Sequence, residues 1–277
     1  MQRAAKTGAW FTVLPYTVNG TELGDQECCG ALFLRYRLEP PDLPKHCDGC
    51  EARFTISHNI DCKKCGLVTA CHNELRDGVA DLAGKAFTPD HVHDDPLIYS
   101  GRAMSRTKPN QDGSNLKKPT DETTAAPKVT EQKGDLLIRD LWQQGTDSVN
   151  DMRVVKTDAL LYVRKSPEKC LQEAERGKKK MYLEACLQKR RHFSPSVSSV
   201  DGLLGVEATA TLKRISSRLA TKWCQPYSKT CGYFKSRVAI TLVRATHRCL
   251  RVSWVPAHRI SVQQPQWEDG AGLNLFR

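Results

Sequence analysis

Cysteine and histidine residues crowd a short segment near residue 50, and their spacing is typical of metal ligands. Cys47 and Cys50 form a Cys-x-x-Cys pair, which His58 and Cys62 follow. Both thiolates of such a pair reach one ion, and a tetrahedral zinc takes four sulfur or imidazole ligands. Four protein ligands leave no open coordination position, so the pattern predicts a structural zinc site. A second set, in which Cys65 replaces His58, is also compatible with the spacing and stays open.

Two aspartates offer oxygen ligands for a different kind of metal site. Asp135 and Asp151 are sixteen residues apart, and each belongs to a segment with the composition of a β-strand. Acidic side chains near the ends of two adjacent strands can converge on one Mg²⁺, which keeps waters that attack a phosphodiester. Such spacing is common in proteins, so the pair on its own favours a solvated or capping role.

The charge of the chain indicates a polyanionic partner. There are 42 Lys and Arg residues against 31 Asp and Glu, a formal charge of +11, and the stretch 213–259 has eleven basic residues and no acidic one. A charge block of this kind is typical of contact with a phosphate backbone, although ribosomal or membrane-surface contact would give the same excess. The basic residues that we expect to contact DNA are Lys213, Arg214, Arg218, Lys222, Lys235 and Arg237.

Composition limits the remaining possibilities. Hydrophobic residues make up 39% of the 277 residues and charged residues 26%, which is typical of a folded globular chain. We expect no membrane span, because no run of about 18 apolar residues is present. We also expect an intracellular protein, because the first residues lack the pattern of a signal peptide. Five of the twelve cysteines of the chain lie in the short segment from Cys47 to Cys71. In an intracellular protein, this clustering favours metal binding over disulfides.

The periodicity of apolar residues predicts a mixed order of helices and strands. We expect helices at 70–86, 167–189, 206–223 and 228–250, and strands at 135–142, 149–155 and 193–200. The segment 102–133 has almost no large apolar side chain, so we expect a disordered insertion there. The order of elements predicts an α/β fold in which a small mixed sheet is flanked by helices.

Several short motifs occur in a fixed order along the chain. After the Cys47 to Cys62 set they are Gly66-Leu67-Val68, His72-Asn73-Glu74-Leu75-Arg76-Asp77, Asp135 in Gly-Asp-Leu-Leu-Ile-Arg, Asp151 in Asp-Met-Arg-Val, Lys178 to Tyr182, Phe193-Ser194-Pro195 with Asp201-Gly202, and Ser-Arg-Leu-Ala before Pro226-Tyr227-Ser228. In this order they resemble the region downstream of the reverse transcriptase in non-LTR retrotransposons that carry a restriction-enzyme-like endonuclease. The opening from Trp10 to Tyr36 is similar to the end of the polymerase part, so the resemblance covers about Trp10 to Leu250.

The resemblance implies a zinc knuckle and a nuclease site. It implies zinc at Cys47, Cys50, His58 and Cys62, and Mg²⁺ or Mn²⁺ at Asp135 and Asp151, in an enzyme that nicks DNA. Nucleases of this fold usually carry a lysine two residues after the second acid, where this chain has Arg153. Arginine cannot lose its proton to act as a base, but it can hold negative charge on a phosphate. Lys178 resembles the helix lysine of this branch and is the alternative catalytic cation.

The resemblance also implies a domain organisation and partners. It places an appendage resembling the polymerase tail at 1–44, the zinc knuckle at 45–66, the restriction-endonuclease-like domain at 67–202 and a basic helical region at 203–277. The partners that it implies are DNA, element RNA and a reverse transcriptase domain of a longer product, in the nucleus. The alternative is a non-catalytic, zinc-containing nucleic-acid-binding remnant from a decayed copy of the element.

Overall fold

The computed structural model describes residues 7–36, 38–39, 43–47, 49–62, 64, 67–102, 129–162 and 164–251. The helices in this part of the chain are α1 (Asp25–Tyr36), α2 (Ile56–Asp61), α3 (Leu67–Ala86), α4 (Pro167–Gln188), α5 (Val206–Lys222) and α6 (Tyr227–Arg251). Its strands are β1 (Val92–Asp94), β2 (Leu97–Arg102), β3 (Val129–Lys133), β4 (Leu136–Arg139), β5 (Asp147–Val155) and β6 (His192–Ser199). The expected α/β class, with a small mixed sheet flanked by helices, is confirmed.

Four strands form the main sheet in the order β1-β4-β5-β6. The β1–β4 and β4–β5 pairs are antiparallel, whereas β5 and β6 are parallel. The chain turns back between β4 and β5 through Asp140 and Gly145, both of which have a positive φ. A parallel pair needs a long crossover, and α4 forms it between β5 and β6. The hairpin therefore sets β4 against β5, and the crossover places α4 beside the same strand.

The two faces of the sheet are covered by different helices. On one face, Ile138 of β4 and Met152 of β5 pack in one apolar cluster with Leu75 of α3, Ile215 of α5 and Phe234 of α6. On the other face, β5 packs against α4. Val149 packs with Cys186 of this helix, and Val155 packs with Leu171. Successive strand residues point to opposite faces, so Asp151 shares the α4 face with these two valines.

Two boundaries of the expected insertion differ from the sequence-based prediction. Arg102 ends β2 and residues 129–133 form β3, and these two strands pair with each other as an antiparallel ribbon. Backbone hydrogen bonds across the pair order these residues although they bury few apolar side chains. The rest of the insertion, 103–128, lies outside the described residues.

Local sequence signals explain the helix that crosses between the parallel strands. Pro167 occupies the first turn of α4, where a missing N–H costs no hydrogen bond. The Ser166 hydroxyl accepts the Lys169 N–H at 3.3 Å and caps the helix.

Within the described residues, none of the helices combines the length and apolar character that crossing a bilayer requires.

Candidate functional site

The register of the β4–β5 pair brings the two aspartates together. Leu136 pairs with Asn150, and the Asp135 N–H donates to the Asn150 carbonyl at 3.1 Å, so Asp135 lies across from Asp151. A Cβ atom at Gly134 would overlap the Val149 side chain, so only glycine allows the chain to approach β5 this closely before Asp135. The sequence pattern predicts both acids near the ends of strands. In the structure, Asp151 lies in the middle of β5 instead.

Lys178 approaches the same point from α4. Its Nζ lies 2.5 Å from the Asp151 Oδ2, and the two side chains are 19% and 5% exposed. The Lys178 ammonium also lies 5.6 Å from the centre of the Tyr182 ring, one turn further along the helix. Arg153, the rival cation, is exposed and forms no ion pair with either acid within the described residues. Thus the structure brings Asp135, Asp151 and Lys178 together and leaves Arg153 at the surface.

A histidine from a third element completes this group. His72 of α3 places its Nε2 3.0 Å from the Asp135 Oδ1. The other Asp135 oxygen accepts the backbone N–H of Met152. The sequence placed His72 in a motif and near a cysteine cluster, but no spacing rule connects it to an acid 63 positions later. Membership of an ordered motif was the only available signal.

The two carboxyl groups have different protonation behaviour. Burial raises the pKa of the Asp151 carboxyl to about 6, although the Lys178 ammonium opposes this. Burial also raises the pKa of Asp135, but the hydrogen bond and charge of His72 and the Met152 N–H outweigh it and hold this pKa below the ordinary value. The hydrogen bond to Asp135 in turn raises the pKa of His72. Each acid therefore has its own basic partner, and the acids disfavour each other's ionisation.

The cysteine and histidine cluster forms a second, separate group. A tight turn holds Cys47 and Cys50, with the Cys47 N–H bonded to the Ala52 carbonyl at 2.9 Å. The helix α2 carries His58, whose backbone N–H is capped by the Thr55 hydroxyl at 3.0 Å, and Cys62 directly follows this helix. One ligand atom from each of Cys47, Cys50, His58 and Cys62 lies within 4.8 Å of all the others.

The distances in this cluster match a tetrahedral ion. The Sγ of Cys62 lies 3.8 Å from the Sγ of both Cys47 and Cys50, and the Cys50 Sγ lies 3.1 Å from the His58 Nε2. Two thiolates bound tetrahedrally at about 2.3 Å are separated by about 3.8 Å, so the arrangement is consistent with structural zinc. The alternative ligand Cys65 lies outside the described residues. The four residues form a potential metal-binding site.

Comparison with known proteins leaves the family open. No family model matches the chain, and no curated protein matches it significantly. Function therefore has to be argued from the two clusters and from the surface.

The six basic residues expected to contact DNA divide into two groups. The charged ends of Arg214, Lys222 and Arg237 donate to backbone carbonyl groups of neighbouring elements at distances of 2.5 to 2.8 Å. These contacts hold helices α5 and α6 against the rest of the fold. The other three, Lys213, Arg218 and Lys235, are exposed, as is Lys222.

Proposed function

We propose that this chain is a metal-dependent endonuclease region that nicks DNA and is related to the restriction-enzyme-like endonuclease of non-LTR retrotransposons. The observation that carries the proposal is the convergence of Asp135, Asp151 and Lys178 from β4, β5 and α4. The residue types fit the chemistry, because carboxylate oxygens suit Mg²⁺ or Mn²⁺ and a cation suits a phosphate. The burial of Asp151 beside a second acid supports a site for a bound cation rather than a surface cap.

The side chains divide the work of phosphodiester hydrolysis. Asp135 and Asp151 would hold the divalent cation through their carboxylate oxygens. When such a cation is bound, charge on the scissile phosphate is neutralised and an attacking water loses its proton more readily. Lys178 lies within reach of the same point and would hold the charge that develops on the phosphate oxygens. Arg153 would interact with a different phosphate, because it is exposed and forms no ion pair with either acid within the described residues.

Two further parts of the proposal concern the scaffold and the partners. Cys47, Cys50, His58 and Cys62 would hold one structural zinc in a zinc knuckle, and the sheet with α3 and α4 would be the restriction-endonuclease-like core. Lys213, Arg218 and Lys235 would contact DNA. The resemblance suggests two further partners, element RNA and a reverse transcriptase domain that extends the nicked end. It also suggests a nuclear location.

The test is nicking of supercoiled plasmid by the zinc-loaded chain with Mg²⁺ or Mn²⁺. Asp151→Ala should abolish nicking while salt-sensitive DNA binding survives, because the carboxylate acts mainly on the transition state. Asp147→Ala is a matched control, since Asp147 starts the same strand and pairs with Arg139 at 3.3 Å, away from Asp135. This control should retain nicking.

The exposed basic residues and the cysteine cluster favour a second candidate, a nucleic-acid-binding remnant without catalysis. It predicts DNA binding and zinc content equal to those of an active enzyme, with no nicking by the unaltered chain under any divalent cation. That outcome would replace the nuclease proposal with this one.

A further inference from the structure

The Asp135 carboxylate is held at both of its oxygens by groups from two different elements. The Oδ1 faces the His72 Nε2 at 3.0 Å, and the Oδ2 accepts the Met152 N–H of β5. The carboxylate is therefore fixed in plane as well as in position. Among the described residues, Lys178 forms the one ion pair of its neighbour Asp151.

His72 lies on a segment of α3 that packs into the fold. One helical turn after His72, Leu75 is buried in the main core, and the preceding Cys71 is buried against Ala245 and Cys249 of α6. Both neighbours of the histidine on this helix thus pack into the fold. The imidazole is half-buried and reaches Asp135 from a helix segment that packs into the fold on either side of it.

We infer that His72 is a positioning residue, which orients the Asp135 carboxylate so that its free lone pairs face the divalent cation bound with Asp151. The inference rests on the proposed nuclease function. A ring nitrogen that donates a hydrogen bond has no lone pair left for a metal, whereas each carboxylate oxygen has two and can accept the bond while it binds a cation. Hydrogen-bond partners of metal-binding carboxylates of this kind typically change metal affinity 10- to 100-fold when they are lost.

The experiment compares Mn²⁺ binding by zinc-loaded variants, measured through the electron paramagnetic resonance signal of free Mn²⁺. His72→Leu removes the donor and should weaken Mn²⁺ binding about 10- to 100-fold. His72→Gln keeps an N–H donor at a similar reach and should remain within about threefold of the unaltered chain. His93→Leu is the control, because His93 is an exposed histidine of β1, and it should change nothing.

Nicking kinetics provide a second readout. With His72→Leu, half-maximal nicking should require a higher Mn²⁺ concentration, while the KM for DNA stays unchanged and kcat recovers at saturating Mn²⁺. A purely structural role would lower activity at every metal concentration and would also lower the urea midpoint of unfolding. If His72→Leu does not fold, His72→Asn takes its place, because its shorter amide does not reach Asp135.

Two outcomes would overturn the inference, and a third separates it from the nuclease proposal. Unchanged Mn²⁺ affinity in His72→Leu would overturn it. Equal losses in His72→Gln and His72→Leu would also overturn it, because an N–H donor at position 72 would then not be what maintains the Mn²⁺ affinity. If the unaltered chain binds Mn²⁺ at a site that Asp151→Asn removes but never nicks DNA, the nuclease proposal fails while the Mn²⁺ comparison still decides the role of His72.

Discussion

Replacing Asp151 with asparagine removes a carboxyl group that is 4% exposed and keeps its shape. Burial raises the pKa of this carboxyl from 3.8 to about 6, so the folded protein holds the proton more tightly than the unfolded chain does. Ionisation of Asp151 consequently lowers the free energy of unfolding. This destabilisation is absent below about pH 4, grows as the pH rises towards 6, and is complete above that value.

The size of the effect follows from the shift in pKa. A difference of about two pKa units corresponds to about 3 kcal/mol at about 1.4 kcal/mol per unit. Roughly half of it develops between about pH 5 and about pH 7.5, so the unaltered protein should lose about 1 to 2 kcal/mol relative to Asp151→Asn over this range. The asparagine variant also deprives Lys178 of its partner, but this cost is constant over the range and cancels in the comparison.

Urea unfolding of the zinc-loaded proteins without Mg²⁺ or Mn²⁺, at several pH values, measures the difference. Val154→Ala is the control, because it shortens an apolar side chain of the same strand without removing a titratable group. Its difference from the unaltered protein should be constant with pH. If the stability of the unaltered protein relative to Asp151→Asn stays constant or increases as the pH rises, the conclusion that burial dominates at Asp151 is refuted.

Three further predictions concern zinc, DNA and the catalytic cation. Cys50→Ser should abolish zinc binding in elemental analysis, whereas Cys65→Ser should leave one zinc per chain; equal losses would favour the four-cysteine set. Lys213→Ala should reduce the slope of log affinity against log salt by about 0.9 if it contacts one phosphate, measured by fluorescence anisotropy, and binding that ignores salt would contradict this. Lys178→Ala should slow plasmid nicking more than Arg153→Ala, because Lys178 forms an ion pair with Asp151 and, within the described residues, Arg153 does not; equal rates would speak against that role.

The fold was predictable where a single element carries its own pattern. The strand at 149–155 and the helix that begins at Pro167 have enough residues for their periodicity to show, and β5 and α4 lie where the sequence placed them. The three-residue strand β1 and the ribbon strands β2 and β3 are too short or too polar for that. These strands form because their backbones pair with strands elsewhere in the sequence, and composition does not reveal such pairing.

The cysteine and histidine cluster was easier to predict than the acid cluster, because its residues are close together in the sequence. All four residues of the potential zinc site lie within sixteen positions, so their spacing alone indicates a shared ion. The acid cluster extends from His72 to Lys178, and only the β4–β5 register and the α4 crossover bring its members together. Charge counts similarly predicted a basic surface, but they could not show that Arg214 bonds to a backbone carbonyl at 2.7 Å.

The protonation behaviour of the acid pair connects the fold to the proposed chemistry. Burial raises the pKa of Asp151, so ionisation of this carboxyl is unfavourable for the metal-free fold at neutral pH. Binding of a divalent cation would offset that cost, because the opposite charge favours the ionised form. The same free energy that destabilises the metal-free protein then contributes to metal affinity. Above about pH 6, we therefore expect the free energy of unfolding to rise when Mg²⁺ or Mn²⁺ is added to the unaltered protein. The same addition should not raise it in Asp151→Asn.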